Sequence, residues 1–334
     1  MKTKLTALAS DLVLIALVLG GAIWLVVALG LVETAWTTDR PLLPLSVEGS
    51  RWLLLLTAVA IVAGLVLATT IRQRRARVVD GEIVRYSLYD RLVHWGLALG
   101  YVLAFATGAW LLRWVGLDNS EEVRPTLYLV HFIGAGLIVL GAITFVTRAR
   151  VAGQDALFPR GRDLSPALAR LFGYLGVYGE SGVLGMRMGK EAQAGWRRAL
   201  DAVGIRPAAH EGKFLAVEKV FSFTPLALLS FVVIFTGLIK SGRYFFAVPM
   251  DVVAWATWLH GWTTWGALLV VGAHLAAIFL VPRNWPGIRA MVRGRTSLKL
   301  AEHEFPAWAE EAKHAGLEPP SVGIPVQAPG TVRR

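Results

Sequence analysis

The feature that most constrains this chain is a set of long apolar runs that carry almost no charge. A helix that crosses a bilayer needs about 20 mostly apolar residues. Six stretches qualify: 12–33, 52–71, 91–114, 127–147, 220–240 and 254–281. In hydrocarbon every backbone polar group must be satisfied internally, and a helix does this within one segment. The expected fold is therefore an all-α integral membrane protein. Composition agrees, since 55% of the 334 residues are hydrophobic and the mean hydropathy is +0.55, above the range of soluble domains.

The net charge of +11 raises the question of a nucleic-acid partner. The placement of the charges answers it. The stretch 71–91 carries six arginines, and both 148–219 and the tail from Arg283 are rich in Arg and Lys. By contrast, 115–126 holds Asp118, Glu121 and Glu122 against Arg124, and 34–51 and 241–253 are poor in positive charge. Basic loops alternate with non-basic ones, as the positive-inside rule requires. This predicts a multi-pass protein of the bacterial cytoplasmic (inner) membrane, with both termini and the long loop in the cytoplasm and no nucleic-acid partner.

The chain opens with MKTK before an apolar run, as a signal peptide would. The run from Leu12 to Val32 is longer than a signal core and no A-x-A site follows, so an uncleaved helix is expected. In the long loop, LSPALARLFGYLGVYG (164–179) mixes apolar and basic residues and reads as an interfacial helix. Repeated Gly and Pro argue against a separate compact domain there. No internal repeat is evident. The expected division is 1–78, an N-terminal extension with two transmembrane helices; 79–296, a four-helix core that includes the loop 148–219; and 297–334, a cytoplasmic tail.

The chain has no cysteine. This excludes disulfides, thiolate-held iron–sulfur clusters and covalently attached c-type haem, so a metal centre must use His, Met or carboxylates. Of seven histidines, His210, His303 and His314 lie in the predicted cytoplasmic segments, whereas His94, His131, His260 and His274 lie inside spans. An ionisable residue in a span is costly and reads as functional by default. The competing reading is a neutral imidazole hydrogen-bonded to a neighbouring helix.

Placement favours function. His260 and His274 are fourteen residues apart, nearly four helical turns, and so share one face. At about 1.5 Å per residue they stand about 21 Å apart along the axis. Alternating helix directions then sort the four into two levels: His131 with His260 toward the outside, His94 with His274 toward the cytoplasm. Two axial imidazoles from different helices suit a low-spin haem, and two pairs make a ladder of two b haems. A zinc site would gather three or four ligands at one level. A proton relay would interleave carboxylates, which these spans lack.

Gly96, Gly100, Gly134, Gly136, Gly261, Gly266 and Gly272 fit a flat macrocycle between helices, or small-residue helix packing. Trp258, Trp262 and Trp265 read as interface or packing residues. Arg91, one turn before His94, and Arg113, near the outer end of the same helix, are candidate propionate contacts; a positive-inside flank accounts for Arg91 equally well.

Three segments and the tail carry a family resemblance. YDRLVHWGLALGYVLAFATG (89–108), LYLVHFIGAGLIVLG (127–141) and WLHGWTTWGALLVVGAHLAAIF (258–279) resemble the cytochrome b (gamma) subunit of respiratory formate dehydrogenase, within the b561-type di-haem membrane cytochromes. WPGIRAMVRGRTS (285–297), followed by HEFPAW (303–308), is similar to that family's cytoplasmic tail. The resemblance covers about 89–310. It implies a four-helix di-haem core, with the first two helices as an extension. It also implies His131 and His260 as ligands of a periplasmic-side haem b, and His94 and His274 as ligands of a cytoplasmic-side haem b.

The implied partners are a periplasmic iron–sulfur subunit, a molybdenum or tungsten catalytic subunit, membrane lipid, and menaquinone or ubiquinone as electron acceptor. The formate-oxidising site itself would not lie on this chain. The family's N-x-G-Q-K-like stretch before the third core helix reads here GKFLAVEKVFSF (212–223). Lys219 matches the lysine, the Asn and Gln are not reproduced, and Glu218 stands nearby as a polar substitute or a boundary charge. Glu218, Lys219 and His274 are thus the implied quinone-binding residues. Three rival readings stay open: the cytochrome subunit of a thiosulfate reductase or nickel–iron hydrogenase, a haemless transporter or assembly factor, and a stand-alone cytochrome serving a soluble acceptor.

Overall fold

The computed structural model describes residues 57–66, 78–112, 116–117, 120, 122–151, 159–178, 182–208, 211–243 and 247–317. The first expected span, the leader question, Arg113 and His210 lie outside the described residues. Within them a short apolar helix, α1 (Thr57–Val66), falls in the second expected span. It packs on the fourth-listed apolar stretch of the sequence: a Cβ on Gly64 would lie 3.1 Å from Ile143 Cγ2.

Among the described residues four helices are long and apolar enough to cross a membrane. They are α2 (Leu88–Leu111), α3 (Arg124–Val151), α6 (Ala216–Gly242) and α7 (Met250–Leu280). Each begins three or four residues ahead of the apolar run seen in sequence, and at α2 and α6 a carboxylate caps the entry. Ser87 Oγ accepts from Asp90 N at 3.1 Å, and Asp90 Oδ2 accepts from Ser87 N at 2.9 Å, a capping box that starts α2. At α6 the first turns include a π-helical stretch, Lys219–Phe223. Pro225 follows it; a proline ring collides with the carbonyl four residues back, and a widened turn removes the collision.

The four helices form two hairpins, α2 with α3 and α6 with α7. The second repeats the first at a separation of 129 residues, although no repeat is evident in the sequence. Tyr101 bonds Ser230, 129 residues later. Thr107 bonds His131, and Thr236 bonds His260, with 24 residues between the partners in both cases. The same offset carries His94 onto Phe223 and Phe145 onto His274. The correspondence rests on geometry and small polar residues, which lipid-facing substitutions elsewhere have hidden.

Close approach within the first hairpin depends on two glycines. A Cβ on Gly134 would lie 2.8 Å from Gly100 O and 2.9 Å from Ala104 N, and one on Gly100 would lie 2.9 Å from Gly134 O. Backbone cannot yield to a side chain here. Gly134→Val is expected to cost about 1–3 kcal/mol by overpacking, read as a lower thermal midpoint of the detergent-solubilised protein. Gly195→Ala, mid-helix with nothing within 4 Å of its Cβ, should leave that midpoint unchanged or raise it slightly.

At the basic end of the bundle the loop and tail pack together. Two short strands, β1 (Val78–Val79) and β2 (Glu82–Val84), form a hairpin, and β3 (Arg295–Ser297) adds to β2 with Ile83 opposite Thr296. The turn residues Asp80 and Gly81 both have positive φ, 52° and 74°, as a two-residue hairpin turn requires. The sheet thus joins the segment before the first spanning helix to the segment after the last.

Helices α4 (Leu164–Tyr174), α5 (Lys190–Ala202), α8 (Trp285–Arg293), α9 (Leu298–Glu304) and α10 (Pro306–Leu317) complete this end. Ile83, Ala167, Leu215–Val217, Ala301, Phe305, Trp308, Ala309 and Ala312 make one buried cluster. The loop does not form a compact unit alone, as its glycines and prolines suggested. It forms one with the tail and the hairpin. Helix α4 covers the segment expected as an interfacial helix; it buries Ala167, Ala169 and Gly173, and Ala167 belongs to this cluster.

Candidate functional site

The helix pairing brings the four membrane histidines into two sets. His94 near the start of α2 faces His274 near the end of α7, with ring centroids 6.5 Å apart and planes at 60°. A metal–imidazole bond is about 2.0 Å, and the ring nitrogen lies about 1.1 Å from the ring centre, so two rings on opposite sides of one metal stand about 6 Å apart. The observed spacing suits shared axial ligation. At the same depth in the other half, the counterpart pair is Phe145 and Phe223, with centroids 6.1 Å apart. Donor atoms are present on one side of the bundle only.

His131 and His260 occupy equivalent positions on α3 and α7, close enough to act electrostatically on one another, and the charge of Lys240 reaches both. Their Nδ1 atoms are held alike. His131 Nδ1 lies 3.1 Å from Ala104 O and 3.1 Å from Thr107 Oγ1. His260 Nδ1 lies 3.1 Å from Val233 O and 3.0 Å from Thr236 Oγ1. A carbonyl only accepts, so Nδ1 carries the proton in both rings. The lone pair is then on Nε2, which is left available to a metal. Each threonine hydroxyl in turn donates to its own helix, Thr107 to Leu103 O at 2.5 Å and Thr236 to Val232 O at 2.7 Å.

Two glycines lie against the rings. A Cβ on Gly108 would lie 3.6 Å from His131 Cε1, and one on Gly237 would lie 3.4 Å from His260 Cε1. Larger residues there would press on the imidazoles. Gly96, Gly261 and Gly272 have nothing within 4 Å of an added Cβ, whereas Gly100 and Gly134 serve helix packing and Gly266 packs on Leu229. Paired Nε2 donors, fixed tautomers and ring-flanking glycines together fit b-type haem. Among the described residues no group of three or more His, Asp or Glu is placed to hold a metal ion.

Sequence reasoning missed Thr107, Gly108, Thr236, Gly237 and Lys240. Their signal is the Thr-Gly dipeptide that recurs at the same offset in ATGAW and FTGLI.

The remaining candidates sit at the basic end. Arg91 donates to Val292 O, and its Nε is buried without a partner. It also flanks Gly294, whose φ of +83° and contact with Tyr86 O exclude a side chain. Glu218 accepts from Leu215 N at 2.9 Å as the cap of α6, and its charge reaches His274. Lys219 pairs with Asp163 at 3.7 Å, so its ammonium already ties α6 to the loop. Tyr86 lies close enough to Arg85 and Glu218 to feel both charges; burial pushes its phenol up to about 12. It is neutral at physiological pH and able to donate a proton in a hydrogen bond.

A family model described as prokaryotic cytochrome b561 matches residues 85–294. All four membrane histidines fall within the match. No curated protein matches the chain.

Proposed function

Because the chain belongs to the prokaryotic cytochrome b561 family, and is thus a multi-pass membrane cytochrome that binds haem b and carries electrons, we propose that it holds two b haems in series and passes electrons through them to a quinone. The observation that carries the proposal is the two-level pairing of imidazoles, His131 with His260 and His94 with His274. Bound haem supplies a one-electron iron centre at each level. The protein supplies the ligands, their tautomers and a surrounding of low polarity. Thr107 and Thr236 keep the Nδ1 protons in place, and hydrogen bonds at that nitrogen tune ligand basicity.

In this reading the chain is the membrane subunit of a respiratory formate dehydrogenase. Its partners are an iron–sulfur subunit and a molybdenum or tungsten subunit on the periplasmic side of the inner membrane, and both termini are cytoplasmic. The four histidines, their order and the fourteen-residue spacing on one helix support it. Arg91 stands beside the His94–His274 level with an unpartnered buried Nε, a suitable donor to a haem propionate. Menaquinone or ubiquinone would bind near His274 with Glu218 and Lys219, where Glu218 and Tyr86 offer an acceptor and a donor. Electrons moving inward against the membrane potential cost about 2.3 kcal/mol each per 100 mV for a full crossing. The donor-to-quinone potential difference must exceed that.

The test is the haem content of the purified full chain by pyridine haemochrome, followed by reduction of native membranes with formate. Two b haems per chain, both reduced by formate, are expected. A folded chain without haem would remove the electron-transfer reading. Reduction by hydrogen and not by formate would reassign the partner to a hydrogenase.

A further inference from the structure

Lys240 lies near the end of α6 that is far from the basic cap, within a helix that reads as a membrane span. It is only partly exposed. It stands four residues after Thr236 and three after Gly237, hence on the same helix face and one turn farther out. Thr236 bonds the His260 ring at 3.0 Å, and Gly237 lies against that ring's Cε1. The lysine is thus placed directly beyond the edge of the His131–His260 level.

Its surroundings are cationic or neutral. Among the described residues its electrostatic neighbours are Arg243, His131 and His260. No carboxylate of a described residue pairs with it, and no described acceptor takes its hydrogen bonds. A partly buried ammonium in a span, which no described carboxylate neutralises, is costly, and such groups are retained for a partner. The equivalent position in the first hairpin is Leu111. The charge is therefore an addition to one half of the repeat, and helix packing does not require it.

We infer that Lys240 binds a carboxylate of the haem held by His131 and His260, and that it sets the potential of that haem. The inference rests on the proposed haem at this level. A cation beside the propionate favours the reduced iron, which carries one less positive charge. Its removal lowers the potential of this centre and leaves the His94–His274 centre unchanged. Nothing about Lys240 distinguishes it in sequence from a boundary lysine; its relation to Thr236, Gly237 and His260 does.

The experiment is an optical redox titration of the purified full chain carrying Lys240→Met, Lys240→Glu or Lys240→Arg, with haem quantified in each. Expected for Lys240→Met is a wild-type haem content and one midpoint lowered by about a tenfold change in the oxidised-to-reduced ratio, which is about 59 mV for one electron. Lys240→Glu should shift the same midpoint further, and Lys240→Arg should restore most of it. In a His131→Ala background, Lys240→Met should move nothing. Loss of one haem in Lys240→Met with retention in Lys240→Arg would also support the assignment. Unchanged midpoints in Lys240→Met, as for a lysine bound to a lipid phosphate, would overturn it. Equal haem loss in Lys240→Met and Lys240→Arg would overturn it too. A wild-type chain without haem would instead sink the proposed function, which keeps the two failures distinct.

Discussion

His274→Ala is expected to leave a folded membrane protein with one b haem where the wild type has two, and His131→Ala is expected to lose the other. The argument is geometric. His94 and His274 come from helices at opposite ends of the core sequence and meet only across the bundle, with ring centres 6.5 Å apart. Alanine leaves His94 as a single donor, and no described carboxylate or imidazole stands in for the lost ring. The reduced-minus-oxidised band should fall to about half its amplitude, since each low-spin centre needs both axial imidazoles. Quinone reduction should fail in His274→Ala, because the level nearest Glu218 is the one removed.

The spectral loss must differ between the two variants. If both lost the same component, the sorting into levels would be wrong. The Phe145–Phe223 pair sharpens the test. It occupies the equivalent place in the other half, offers no donor, and so cannot accept a displaced haem from the vacated level.

Glu304→Ala should detach the tail from the rest of the basic end. Glu304 on α9 is 9% exposed and receives Arg170 at 2.6 Å and Arg283 at 2.9 Å. Burial alone would raise its pKa, but hydrogen bonds from Arg283 and the charge of Arg170 outweigh this and hold the carboxyl at about 2. Removing the shared anion takes from two partly buried guanidiniums the carboxylate they share, and breaking such a set costs about 3–5 kcal/mol. Amide hydrogen exchange in α9 and α10 should quicken by about a hundredfold or more, the equivalent of about 3 kcal/mol. Glu304→Gln should give a large part of this effect, since it keeps the shape and removes the charge.

The pH dependence has a definite sign. The folded-state pKa is depressed, so the stabilisation is complete above the ordinary carboxylate range and is lost as pH falls toward about 2. Tail exchange in the wild type should therefore show no change from this group between about pH 5 and 8. A tail that loosened across that window would point to another titrating group and would count against the Glu304 assignment.

Much of the fold could be read from particular residues before any coordinates. The helices α2, α3, α6 and α7 were visible as apolar runs because lipid leaves a segment few other ways to satisfy its backbone. The levels of His94, His131, His260 and His274 followed from helix direction, which the arginines of the loops imply. The hairpin at Asp80–Gly81 was not read, although its Asp-Gly turn is a strong local signal, because six arginines drew the stretch toward a simple basic loop. Trp258, Trp262 and Trp265 are exposed, and the first two rings meet edge-on.

The residues of 212–223 show where sequence reading ends. Lys219 matches the family's lysine by position, and the fold gives its ammonium to Asp163, 56 positions earlier in the chain. Glu218 looked like a boundary charge or a quinone ligand, and it is first of all the cap of α6.

What the sequence determined by itself was which of the described segments form apolar helices of spanning length and which of those helices carry imidazoles, because hydropathy and helical periodicity are local properties. What only the tertiary structure decided was partnership. It showed that His94 faces His274 while Phe145 faces Phe223, that Thr107 and Thr236 orient the second pair, that Lys240 lies one turn beyond that pair with no carboxylate of a described residue on it, and that the tail is locked by Arg170 and Arg283. Those facts depend on how helices rotate and cross, which is set by close contacts such as Gly100 against Gly134. Two such surfaces must meet before either has a meaning, and no single stretch of chain contains both.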